Sequence, residues 1–301
     1  LASLGTDTGG SIRIPSSACG IVGLKPTRGL VSLDGVVPLA FSLDHVGPMC
    51  RSVQDAGLML NALTNSTSGV AIVNHLRDLR DGIRGLRIGL PKQYFFEGMQ
   101  REVRNKVLEA CRVFEKLGAK LQAVDLRRIR DTARLVAEIT VAEALAFHWN
   151  WIHKRPQDYG ADVRERLGKN LDQPTVVYLH AQEKRREVTR IFVEVLEKVD
   201  VLVTPTLPVV PPRIAEKDLK IGRRKEPVRS ILLRFTRPGN LTGLPAISLP
   251  CGFTPDRIPI GMQIFGRRFE EATLLRAAQA YEQATPWHEI SPSEKNFAKG
   301  K

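Results

Sequence analysis

At 301 residues the chain is long enough to bury a sizeable core, as one large domain or two smaller ones, and its 43% apolar and 26% charged residues exclude a disordered polymer. No apolar run approaches the roughly eighteen residues that a membrane-crossing helix requires. The formal charge of +13 favours anions, but aromatic residues are only 6% and are not interleaved with the basic runs, which argues against a stacking platform for single-stranded nucleic acid.

Residues 1–50 are rich in Gly, Pro and Ser with short apolar pieces, a pattern of loops and short strands around a site and not of long helices. Ser52 and Asp55 form an S-x-x-D helix start before the apolar run Ala56 to Leu63. Leu86, Ile88 and Leu90 alternate as in a strand closed by Pro91. Val103, Val107, Cys111 and Phe114 then recur at helical spacing up to Gly118, and Leu121 to Leu126 reads as another strand. Strand, helix and strand make a βαβ unit, whose preferred solution is a right-handed crossover in a mostly parallel sheet. The fold class expected is therefore α/β, with a mixed, mostly parallel sheet flanked by helices.

Residues 132–153 and 175–198 are predicted helices, and Val199 to Thr204 a short buried strand ended by Pro205 and Pro208. Pro211 to Pro238 turns basic with little periodicity, which predicts a mobile loop or lid edge. Ala246 to Leu249 and Ile258 to Phe265 read as strands, and Glu270 to Ala284 as a helix. One domain is expected over residues 1–290, followed by a polar, frayed tail at 291–301.

Cys19, Cys50, Cys111 and Cys251 are scattered, without a C-x-x-C pair, and read as reduced, small hydrophobic core residues of a cytoplasmic protein. Asn65-Ser66-Thr67 and Asn240-Leu241-Thr242 are formal glycosylation sequons of the kind that arise by chance. None of the six histidines, at 45, 75, 148, 153, 180 and 288, is marked by context as a base. His148 and His153 are five apart, off a shared helix face, and no carboxylate cluster accompanies them; a G-x-G-x-x-G fingerprint is absent too. No metal and no cofactor is expected.

The segment that carries chemistry is Gly5-Thr6-Asp7-Thr8-Gly9-Gly10-Ser11-Ile12-Arg13. It sets one hydroxyl in a run of small residues, where the N–H groups of Thr8, Gly9, Gly10 and Ser11 can point into one concavity as an oxyanion hole, with Ser11 as the nucleophile. Asp7 and Arg13 flank it with charges suited to a buried pair. The plainer alternatives are a turn whose serine caps a neighbouring segment and two solvated loop charges. Arg13 stands where a G-x-S-x-G elbow needs its second glycine, and Ser11 where a P-loop needs its lysine, so neither motif applies. Lys25 is near in sequence, but its reach to Ser11 does not follow from spacing.

Together with Pro15-Ser16-Ser17-Ala18-Cys19-Gly20-Ile21-Val22-Gly23-Leu24-Lys25-Pro26-Thr27-Arg28-Gly29, this segment resembles the hallmark block of the amidase signature family. Later stretches are similar as well: Ser42 to Pro48, Asp200 to Pro208, Asn240 to Phe253 and Pro259 to Gln263. The resemblance implies that Ser11 is the catalytic serine, that Asp7 and Arg13 give structural support, and that Lys25 belongs to a structural turn. It also implies a lysine base and a second serine, bridging through a cis peptide, both upstream of the block and so before Leu1. With Leu1 in place of methionine, the chain reads as the C-terminal part of a larger protein, essentially inactive alone. The implied function is hydrolysis of a carbon–nitrogen amide bond through a serine acyl-enzyme. The alternatives are the related A subunits of glutamyl-tRNA(Gln) amidotransferase, whose S-C-E-A-S-S-N-L-A-R-Y-D-G type segment is missing from Glu138 to Asp162, and a non-catalytic remnant. The partner expected is a small-molecule amide; nucleic acid is not expected, and a homodimer is left open.

Overall fold

Strand-forming runs from both ends of the chain meet in one eight-stranded sheet of the computed structural model, which describes residues 2–65, 74–168, 171–222 and 224–291. In chain order its strands are β1 (Ala2–Thr6), β2 (Val22–Lys25), β3 (Val46–Cys50), β4 (Arg87–Pro91), β5 (Lys120–Val124) and β6 (Val201–Pro205). A separate hairpin, β7 (Asp218–Ile221) and β8 (Arg224–Pro227), precedes the last two sheet strands, β9 (Ala246–Phe253) and β10 (Pro259–Phe265). Across the sheet the order is β1-β3-β2-β9-β10-β6-β4-β5.

The mixed α/β class expected from the sequence is the one that forms. Parallel pairing joins β4 to β5 and to β6, the edge built by the predicted βαβ unit. The five other neighbouring pairs are antiparallel, so the expectation of a mostly parallel sheet holds for that edge alone. Among these antiparallel pairs only β9 and β10 are joined by a short connection, and the parallel edge has the long helical crossovers that parallel pairing needs.

Helices cover both faces. α2 (Val53–Asn65), α3 (Arg101–Lys116) and α9 (Glu271–Gln283) lie on one. The other carries α1 (Arg13–Cys19), α6 (Thr175–Lys198) and α8 (Arg237–Thr242), with α4 (Thr132–Lys154) packed behind α6 and α8. Side-chain alternation along the strands feeds two cores: Val201, Val203, Met262 and Ile264 pack with Val103, Val107 and Ala277, whereas Leu202 packs with Phe192 and Leu241. Gln263, between Met262 and Ile264, therefore faces the layer that holds α1. α5 (Ala161–Gly168) extends α4 with a small cluster of Ala144, Leu145, Ile152 and Leu167.

The helix start at Ser52 is realised, with Ser52 Oγ accepting the Asp55 N–H at 3.1 Å. The loop expected from Pro211 to Pro238 is instead the β7–β8 hairpin followed by α7 (Val228–Leu233) and the start of α8. Its arginines and prolines mask the spacing of Ile231 and Phe235, both buried, and Pro238 sits in the first turn of α8, where no N–H is needed. Cys50, Cys111 and Cys251 are buried as expected, and burial pushes the Cys50 thiol up to about 11 and Cys111 to about 12. Cys19 departs from that expectation: it is exposed at the end of α1, which the left-handed Gly20 closes. Among the described residues no helix is long and apolar enough to cross a membrane. Ser66 and Thr67 of the first sequon and the tail from residue 292 on fall outside the described residues. Asn240, of the second sequon, is fully buried.

Candidate active site

Where β1 ends at Thr6, the chain turns inward and buries an ion pair. Asp7 and Arg13 are both 0% exposed, with Arg13 Nε 3.1 Å from Asp7 Oδ2 and Arg13 Nη2 3.2 Å from Oδ1. Every remaining polar atom of the pair finds a partner. Arg13 donates from Nη2 to Asn240 Oδ1 (2.7 Å) and from Nη1 to Gln263 Oε1 (3.1 Å), while Asn240 Nδ2 donates to Asp7 O (2.7 Å) and Oδ1 (2.8 Å). Gln263 Nε2 donates onward to Phe235 O (2.8 Å) and Pro205 O (3.1 Å). Burial alone would raise the Asp7 carboxyl; Arg13 beside it, with Lys25 and Asn240, outweighs burial and holds it well below the usual carboxylate range.

This pair fixes the two ends of the Thr8–Ser11 loop. Asp7 N–H donates to His45 O (2.9 Å), and Ile12 N–H donates back to Asp7 Oδ2 (3.3 Å). Between them, Thr8 Oγ1 donates to Asp44 Oδ1 at 2.5 Å, and the other Asp44 oxygen accepts the Leu39 and Ala40 N–H groups. The Gly9 carbonyl accepts Thr236 Oγ1 (2.6 Å) and the Gly10 carbonyl accepts Ile14 N–H (2.7 Å). A trans peptide sets N–H opposite C=O, so these bonds turn the Gly10 and Ser11 N–H groups away from Thr236 and from α1. Gly10 has φ +142°, and a β-carbon there would strike the Thr236 side chain; only glycine fits.

Among the described residues, none of the N–H groups of Thr8, Gly9, Gly10 and Ser11 donates a hydrogen bond. Ser11 itself is exposed, and its hydroxyl has no hydrogen-bond partner among them. Unengaged main-chain donors beside an unengaged hydroxyl are the parts from which an oxyanion site is made.

Neither nearby base candidate meets Ser11. Lys25, fully buried on β2, donates Nζ to Pro26 O (3.0 Å), and burial and the Arg13 charge push its pKa well below the usual lysine value. His45 lies with Nδ1 2.7 Å from Leu43 O; a carbonyl only accepts, so Nδ1 holds the proton. Burial, with Lys25 adding to it, holds the His45 pKa well below its ordinary value, and Nε2 is buried without a partner among the described residues.

The family described as Amidase matches residues 1–275. The chain belongs to the amidase signature family. It is 37% identical over 323 residues to the A subunit of the glutamyl-tRNA(Gln) amidotransferase of Thermodesulfovibrio yellowstonii, covering 97% of this chain and 65% of that protein. It is 39% identical to an amidase of Pseudomonas putida, covering 96% of this chain and 63% of that protein. A crystal structure of an amidase superposes with TM-score 0.84 at 29% identity, over 94% of this chain and 62% of that one. The chain thus spans just under two thirds of the length of these relatives.

The separate stretches that resemble the amidase signature converge on one network. Asp7 and Arg13 come from the first, Asp44 from the second, Pro205 from the third, Asn240 from the fourth and Gln263 from the last. The sequence singled out the stretches but gave Asn240, Gln263, Asp44 and Thr236 no role. The available signal was the occurrence of polar residues inside otherwise apolar strand and turn segments, such as Gln263 between Met262 and Ile264.

Proposed function

We propose that the chain carries the nucleophile and oxyanion site of an amide hydrolase. Ser11 Oγ attacks the carbonyl carbon, the N–H groups of Thr8, Gly9, Gly10 and Ser11 receive the developing oxygen charge, the C–N bond breaks with the amine leaving, and water then releases the acid. The observation that supports this most is the set of four unengaged N–H groups held beside an exposed hydroxyl by the Asp7–Arg13 pair. The expected substrate is a small amide. No described side chain hydrogen-bonds Ser11, and the resemblance to the family implies a lysine base relayed through a second serine; the proposal places both outside these 301 residues. The 301 residues alone then retain only weak catalysis. The test is hydrolysis of an aryl amide by the full-length product of the gene: Ser11→Ala lowers kcat by at least about a thousandfold. Unchanged turnover in that variant overturns the assignment of the nucleophile, and full-rate turnover by the 301-residue chain overturns the external base.

A second reading is favoured by the similarity to amidotransferase A subunits: the same site frees ammonia from glutamine for a companion protein. The segment from Glu138 to Asp162, part of the long helix α4 and the turn after it, lacks the sequence associated with those subunits and supports a free-standing amidase. Co-purification with other subunits and tRNA-dependent glutaminase activity would reverse that order.

A further inference from the structure

Asn240 of α8 turns toward Asp7, whereas Thr242, two residues on, lines a different cavity of about 430 Å³. Five of its nine lining residues are arginines: Arg28, Arg185, Arg186, Arg190 and Arg268. Among the described residues no carboxylate, no aromatic ring and no residue of the Thr8–Ser11 loop lines it. The arginines reach it from three parts of the fold: the loop after β2, one side of α6, and the turn between β10 and α9.

Their existing partners account for only part of this charge. Each nitrogen of Arg185 already has an acceptor: it donates to Leu241 O (2.6 Å), Ser42 Oγ (2.8 Å), Ser42 O (2.7 Å) and Gln182 Oε1 (3.4 Å). Arg28 uses one nitrogen on Ser42 O (3.0 Å). Arg190 lies 3.6 Å from Glu194, an exposed pair of small worth, and Glu143 beside Arg28 and Arg185 is bound to Ser42 N–H, Tyr178 and Gln182. Arg186 and Arg268 have no ion-pair partner among the described residues; Arg268 stacks on Phe269 instead. The crowding is felt: burial, then Arg268, push the Arg28 pKa down, and burial, then Arg28, push Arg185 down to about 10.

Guanidinium forks match phosphate oxygens in pairs, and arginines converging from three parts of the fold suit a compact, multiply charged anion. An extended nucleic-acid backbone needs a stripe, and base recognition needs stacking rings, which this lining lacks. We propose that this cavity is a binding site for a polyphosphate group, gripped by Arg28, Arg186, Arg190 and Arg268 and separate from Ser11. The group is either free polyphosphate or the triphosphate tail of a nucleotide.

Isothermal titration of the full-length gene product with inorganic tripolyphosphate tests this. The expected result is saturable binding, one per chain, tighter than sulfate and weakened by salt. The variant R186Q/R268Q, both residues exposed, binds at least about tenfold more weakly with an unchanged thermal melt, while R112Q/K116Q, the same charge change on α3, binds as the parent. ATP is the second arm: affinity equal to tripolyphosphate supports the site with a nucleotide as source, and weaker affinity supports it with free polyphosphate. Three results overturn the proposal. These are no saturable binding, equal loss in R112Q/K116Q, or a single-stranded RNA that binds more tightly than tripolyphosphate and is released by R186Q/R268Q.

Discussion

Asp7 is the residue on which the loop geometry turns, because three separate segments hydrogen-bond to it in the dry interior. Breaking a buried pair from one side strands the other charge, so Asp7→Asn is expected to cost about 3 to 5 kcal/mol in urea denaturation. In a double-mutant cycle with Arg13→Met, the second change should cost far less than it does alone. The Asp7 carboxyl ionises well below its free value of 3.8, so this stability is present throughout the neutral range and lost only as pH falls through the lowered value. The sequence made Asp7 and Arg13 readable as a pair, since both charges sit within six residues of each other around one turn. Asn240 and Gln263 were not readable as their partners, because hydrogen bonds spanning 227 and 250 residues leave no local spacing.

α1 holds Ser11 in place by pressing directly onto the sheet. Gly23 on β2 and Gly261 at the bulge of β10 leave room for Ser16 and Ser17, and a β-carbon at either glycine would meet the serine side chain. Gly261→Val should therefore lift α1, costing about 1 to 3 kcal/mol in denaturant unfolding and lowering amide hydrolysis by the full-length product, with no change to Ser11 itself. Helices with long apolar periodicity were readable in advance: α2, α3, α4, α6 and α9 all lie within a few residues of their predicted bounds. α1, α7 and α8 were not, because seven or fewer residues rich in Pro, Gly or Arg give a helical period too few repeats to register.

The two ends of the fold are also joined through a carboxyl group. Glu282 of α9 accepts the Val53 N–H that opens α2, at 2.9 and 3.2 Å from its two oxygens. Burial, against the pull of that N–H, raises its pKa from 4.5 to about 7. The folded state thus holds this proton more tightly than the unfolded chain. The stability it contributes is complete below pH 4.5 and disappears as pH rises through about 7. Glu282→Gln keeps an acceptor for Val53 and removes the ionisation. Relative to the parent, thermal melts of the variant should lose the part of the decline between pH 5 and 8 that this group causes, a matter of a few degrees. A steeper decline in the variant would contradict that assignment.

Arg13 donates to Gln263, 250 positions further along, and β2 pairs with β9 in the same region. Gln263 is made 250 residues after Arg13, so the loop around Ser11 leaves the ribosome well before all of its supports exist. A nascent chain short of Gln263 leaves Arg13 Nη1 without the acceptor it has in the finished protein. The network that holds the loop around Ser11 is thus complete only once Gln263 has emerged.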